Sequence, residues 1–213
     1  MGVLELGKDT GQFDEEPADV EAASGRRRRR VGLAKSNVMR YFESREAVLL
    51  ELLVSQVKDF FPLASARLSS DVVPQHSATD RAAAVAAALS AEFAKQPTMC
   101  ELLDAQAGAL ERNISAATAA DYKRAGYETS GEFAAALRRA LPELDEPATV
   151  DAVKLIVMLV GTIWINAHPP AAVQEAYAAD PGLTFLPDGF ERSLENAIRA
   201  VLLGLLAQAT DPV

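Results

Sequence analysis

Along most of this chain apolar residues return every three or four positions, the spacing that aligns one face of an α-helix. After Ser44, a good N-cap, Val48, Leu49, Leu52, Leu53, Val57, Phe60 and Phe61 keep that rhythm and predict one long helix. Asp80 to Lys95 is alanine-rich, with Val85, Leu89 and Phe93 on one face, and Pro97 and Thr98 open a further helix from Met99 to Arg112. Ser115 caps a long segment through Tyr122, Tyr127, Phe133 and Leu137 to Ala140, in which Gly126 and Gly131 are expected to introduce a bend. Pro142 and Pro147 bracket a turn. Thr149 to Ala167 is apolar nearly all round and predicts a central core helix, stopped by Pro169-Pro170. Beyond it come a short helix from Ala171 to Ala179, a loop from Asp180 to Pro187 and a last helix from Asp188 to Ala209. Phe190, Leu194, Ala197, Ile198, Val201, Leu202, Leu205 and Leu206 form one stripe on that helix, which Leu203 and Gly204 widen beyond a single face. No stretch carries a strand pattern, so the fold class expected is all-α.

Composition agrees. Of 213 residues 49% are hydrophobic and only 6% aromatic, with 40 alanines against 12 glycines, a profile for closely packed helices. The length suits one ordinary domain plus a small module. Cys100 is the only cysteine, which excludes an intramolecular disulfide and a cysteine zinc cluster and points to a reducing cytosol. Leu4, Glu5 and Asp9 among glycines do not make a signal peptide. The longest apolar run, Leu155 to Ile165, falls short of the roughly 20 residues that cross a bilayer, so a soluble, cytoplasmic protein without a membrane partner is expected.

Charge is spread unevenly. Residues 1–25 carry seven acids (Glu5, Asp9, Asp14, Glu15, Glu16, Asp19, Glu21) against Lys8, a net of −6. Residues 26–45 reverse the sign, with Arg26 to Arg30, Lys35, Arg40 and Arg45 against Glu43, a net of +7, and the other 168 residues, at −10, bring the total to −9. Any contact with nucleic acid must therefore be local. Five consecutive arginines alone read as a solvated charge run. The residues after them argue for more: Val31 to Phe42 reads as a tight turn at Gly32 and a short helix with Leu33, Val38 and Phe42 as its apolar positions. Its polar positions, Lys35, Ser36, Asn37 and Arg40, suit base edges in a major groove, because lysine and arginine donate to guanine and asparagine pairs with adenine. Tyr41 and Arg45, where the chain turns away, suit phosphates.

The stretch Val31 to Leu53 resembles the TetR family of one-component bacterial transcriptional regulators. The glycine turn, the Tyr41-Phe42 pair, the Ser44-Arg45-Glu46 start and the leucines after it stand together at that family's spacings. The resemblance implies that Lys35, Ser36, Asn37 and Arg40 form the base-reading face and that Tyr41 and Arg45 bind phosphate. It also implies an inducer pocket in the larger domain, a double-stranded, near-palindromic DNA operator, and a homodimer built on the final helix and one preceding it, here 149–167 and 188–209. Ala34 stands where a capping serine or similar residue is usual, and Met39 where the pattern has a tyrosine. Upstream, where the family carries two helices, residues 2–30 hold glycines at 2, 7, 11 and 25 and few large apolar side chains. Residues 1–30 are therefore read as an atypical, disordered segment rather than the native start of the domain, through a misplaced start, a frameshift or a truncation. Residues 31–69 are read as recognition helix and linking helix, and 71–213 as the ligand-binding and dimerisation domain.

Met99, Leu103, Gln106, Tyr122, Met158, Trp164 and His168 are candidates to line a small-molecule pocket, offering apolar bulk with a few polar groups, although each alone also fits plain core packing. His76 and His168 are the only histidines and neither has a partner at metal-ligand spacing. With no nucleophile elbow, no phosphate-binding glycine loop and no dinucleotide motif, neither catalysis nor a cofactor or metal is expected. The expected function is a homodimeric transcriptional regulator, acting as a repressor and released from its operator by a small-molecule inducer. The alternative is a helical small-molecule-binding or dimerisation protein that has lost its reader.

Overall fold

Four side chains close the first turns of four helices and set where they begin. Ser44 accepts from the Ala47 N–H at 3.1 Å, Ser77 from Asp80 at 3.1 Å, Ser115 from Thr118 at 3.2 Å and Asp145 from Ala148 at 2.9 Å. A computed structural model describes residues 42–210 of the chain, and those residues form seven α-helices and two short 3₁₀ turns. The helices are α1 (Arg45–Asp71), α2 (Ala78–Ala94), α3 (Pro97–Gly108), α4 (Ala116–Ala140), α5 (Glu146–Ala167), α6 (Ala171–Ala179) and α7 (Gly189–Thr210). The 3₁₀ turns are Leu110–Asn113 and Pro181–Leu183, and no strand occurs among the described residues. The all-α expectation holds.

α1 is the hub, packing along α4 and also against α2 and α3. Glu43 meets Ser115 at the start of the α1/α4 pair, and the Phe61 and Phe133 rings stack farther along, centroids 4.7 Å apart and 2° from parallel. The two helices therefore run side by side in the same direction. On its other flank Phe60 lies 4.4 Å from the Phe93 ring of α2. Two flanks need a wide apolar face, which is why Leu50 and Val54, outside the expected stripe, are buried while Leu52 is exposed. α2 packs on α7, α3 on α5, and α5 on α7, which closes the bundle.

The elements differ from the sequence-based expectation in places that have physical causes. Leu68 and Val72 belong to the same core as Leu50, and the compact unit that holds α1 starts at Glu43. The helix expected over Met99 to Arg112 stops at Gly108, and buried Leu110 draws a 3₁₀ turn inward. α4 continues as one helix through Gly126 and Gly131. α5 starts three residues earlier than expected, because Asp145 caps it and Pro147 fits its first turn. α5 is also long and apolar enough, by length and composition, to cross a bilayer. Here it is a core helix, with Ala152, Val153, Ile156, Val160, Gly161 and Trp164 buried.

One ion pair joins the two ends of loops far apart in sequence. Arg81, buried in the first turn of α2, donates from Nε to the Ala140 carbonyl at 3.0 Å and from its other nitrogens to the Pro74 and His76 carbonyls and the Glu143 carboxylate. It thereby fastens the α1–α2 loop to the turn between α4 and α5.

Candidate functional site

The base-reading positions Lys35, Ser36, Asn37 and Arg40, with Tyr41, lie outside the described residues, as do residues 1–30. Arg45 is described: it is the first residue of α1, directly after the Ser44 cap, and its side chain is exposed. An exposed cation beside the positive end of a helix is a suitable place for a phosphate.

Next to it stands a residue that the sequence marks only as a charge. Glu43 accepts the Ser115 N–H at 2.7 Å, so a carboxylate that precedes α1 sits on the N-terminus of α4. The Ser115 N–H, followed by the hydroxyls of Thr118 and Ser115, holds the Glu43 carboxyl below the usual range. A depressed carboxyl supports structure at pH values above its unfolded pKa, and that support is lost as pH falls through the folded one. The protection of the Ser115 amide, its exchange measured against the intrinsic rate at each pH, should therefore fall on acidification below the ordinary carboxylate range. Glu43→Gln should flatten that dependence; an unchanged profile in the variant would exclude the contact as its source.

A second polar group joins the first 3₁₀ turn to α3 and α4. Glu111, in the 3₁₀ turn, accepts from Gln106 Nε2 of α3 at 2.8 Å and from Lys123 Nζ of α4 at 2.6 Å. Desolvation raises the Glu111 carboxyl, and the hydrogen bonds from Lys123 and Gln106 outweigh it, leaving a net lowering. Tyr122, half-buried beside this ion pair, has its phenol pushed up by burial and then by the Glu111 charge, so it stays a neutral donor. The rest of this face of α4 is thinly covered. No α4 residue before Phe133 is buried, and a Cβ on Gly126, which shares a face with Tyr122 and Phe133, would meet nothing within 4 Å. On α1, the Gln56 carbonyl oxygen and the Ser65 hydroxyl are buried with no hydrogen-bond partner. Such atoms are costly unless something pairs with them.

The seven expected pocket residues do not share one place. Gln106 and Tyr122 flank Glu111. Met99 is fully buried at the start of α3, and Leu103 is half-buried where α3 meets α5. There Gly161 brings the two backbones together: a Cβ on it would sit 2.7 Å from the Asp104 nitrogen and 2.9 Å from the Leu103 carbonyl carbon. Trp164 and His168 form a ring stack at the end of α5, centroids 3.9 Å apart, with Phe190 of α7 edge-on to Trp164 at 4.8 Å. Met158 is 60% exposed, on the outer face of α5 with Leu155 and Ile165. It faces away from the core, because the inner face of α5 is filled by Ile156, Val160 and Trp164.

α7 divides in the same way. Phe190, Leu194, Ile198, Leu202 and Leu206 are buried, while Ala197, Val201 and Leu205 form a half-buried line beside exposed Ala200 and Gly204. Thus α5 and α7, packed together, both turn apolar or small residues outward.

Residues 55–209 match the family described as Tetracyclin repressor-like, C-terminal domain. No curated protein matches the chain.

Proposed function

We propose, for a chain that belongs to the tetracyclin repressor-like family, the role of a DNA-binding transcriptional repressor that works as a homodimer and leaves its operator when a small molecule enters the helical domain. C-terminal domains of this family belong to regulators, and the helical domain here is of that type.

The observation that carries the reading is the continuity at residues 42–45. The basic segment with Lys35, Asn37 and Arg40 runs through Phe42 and the Ser44 cap directly into α1, whose body is the hub of the helical domain. A change in that domain has a covalent route to the reader. The thinly covered face of α4, with Tyr122 and Gly126, supports a small-molecule site there, and the outward faces of α5 and α7 support pairing of two copies. Two readers about 34 Å apart would address successive major-groove faces of a near-palindromic site. A ligand that prefers a dimer with a different spacing would shift the population away from DNA. The proposed place of work is the cytoplasm.

The test uses duplex DNA from upstream of the protein's own gene against random duplex of the same length. Asn37→Ala with Arg40→Ala should abolish the preference for the upstream duplex. Arg45→Ala should weaken both duplexes alike and lower the salt slope by about 1. Equal competition by random duplex against the wild-type chain would remove the repressor reading. It would favour instead a ligand-binding or dimerisation protein without a reader, which the glycine-rich, weakly apolar pattern of residues 2–30 supports.

A further inference from the structure

α6 is the only one of the first six helices with no buried residue. It packs on the 3₁₀ turn that follows it and makes no comparable contact with the other described helices. At nine residues it is shorter than the roughly 12–15 at which even good isolated helices become stable in water. The excursion is nonetheless firmly built: Gln174 Nε2 donates to the Pro169 carbonyl at 2.6 Å, and Asp180 accepts the Gly182 N–H at 3.0 Å. Gly189, at φ 72°, turns the chain into α7, a conformation that favours glycine. The Trp164, His168 and Phe190 rings tie its two ends together. Yet Leu183 is 57% and Phe185 68% exposed at its tip. A shaped arm with bare apolar side chains fits a surface made for a partner.

We propose that residues 171–186 form an exchange arm that lies on a second copy of this chain, each copy clasping the other. The inference rests on the homodimer reading. The arm joins α5 to α7, the two helices whose outer faces carry Leu155, Met158 and Ile165 and the line of Val201 and Leu205, so a second copy seated on those helices would meet the arm at their connected ends. A stable interface takes roughly 800 Å² from each partner, over about 20–30 residues. Among the described residues α5 offers only Val150, Leu155, Met158 and Ile165 as large exposed apolar side chains, and Leu183 and Phe185 raise that supply by half. Reciprocal clasping is the symmetry a two-fold dimer imposes.

The experiment is sedimentation equilibrium on the full chain, with hydrogen exchange of residues 171–186 followed across protein concentration. Leu183→Ser with Phe185→Ser should raise the dimer Kd at least tenfold, as should Met158→Glu on α5. In the wild type, the arm amides should gain protection as dimer accumulates. A dimer that Met158→Glu breaks and the arm variant leaves intact, with arm amides indifferent to concentration, overturns the arm and keeps the homodimer. A wild-type chain that stays monomeric at every concentration overturns both.

Discussion

Replacing Gly161 by valine is expected to destabilise the helical domain by about 3 kcal/mol, at the upper end of the usual cost of overpacking. The atoms that a Cβ at 161 would strike are backbone: the Asp104 nitrogen at 2.7 Å, the Asp104 Cα at 2.9 Å and the Leu103 carbonyl carbon at 2.9 Å. No side chain can rotate out of the way, so α3 must move off α5. Alanine at the same place should cost less, since about 1 kcal/mol of helix propensity returns against the clash. Gly126→Ala is the matched control. It sits in α4 with nothing within 4 Å of a Cβ, so the same propensity gain meets no opposition and the variant should be more stable by up to about 1 kcal/mol. Urea unfolding monitored by circular dichroism reads both. A shift of midpoint to higher urea for Gly161→Ala, matching that of Gly126→Ala, would mean that the close approach of α3 and α5 does not constrain the fold.

Arg81→Met should cost about 2–4 kcal/mol although it keeps most of the side-chain volume. The loss comes from unpaired acceptors rather than from a cavity. The Ala140 carbonyl, at the C-terminal end of α4, is among the orphan acceptors every helix end leaves, and Arg81 Nε is its partner in a buried bond. The Pro74 and His76 carbonyls lose a charged donor as well. The ion pair itself contributes little, because the Glu143 side chain is 40% exposed and water screens it. Glu143→Gln should therefore cost under about 1 kcal/mol. In a domain of this size Arg81→Met corresponds to a melting temperature lower by roughly 4–16 °C. Equal melting of the two variants would show that the carbonyls find water when Arg81 is gone.

The helices could be read from the sequence because their signals are local. Ser44 and Ser115, read as caps, each accept a backbone N–H three residues ahead, and the apolar period after them needs no knowledge of the rest of the chain; the caps at Ser77 and Asp145 were not read, and the helices they open begin before the expected Asp80 and Thr149. The candidate site was harder to read. Gln106 and Tyr122 do meet around Glu111, yet Met158, chosen for its bulk, lies on the outside. Periodicity shows that α5 is apolar all round, and it carries no sign of which side the neighbours α3, α4 and α7 will cover. Glu43 gave no signal at all, since its partner Ser115 is 72 residues away.

The order of amino acids alone is enough for the all-α class, the helix starts after Ser44 and Ser115, the small basic segment on an acidic chain, and the family likeness carried by the residues from Val31 to Leu53. It took the folded arrangement to show that Glu43 rests on α4, that Arg81 joins two loops, that Gly161 is the contact point of α3 and α5, and that the arm between α5 and α7 is left bare. The reason is the range of the forces. Capping and period act within a turn or two of helix, whereas burial and charge pairing depend on which distant segments pack together, and that is settled by the packing of the whole core.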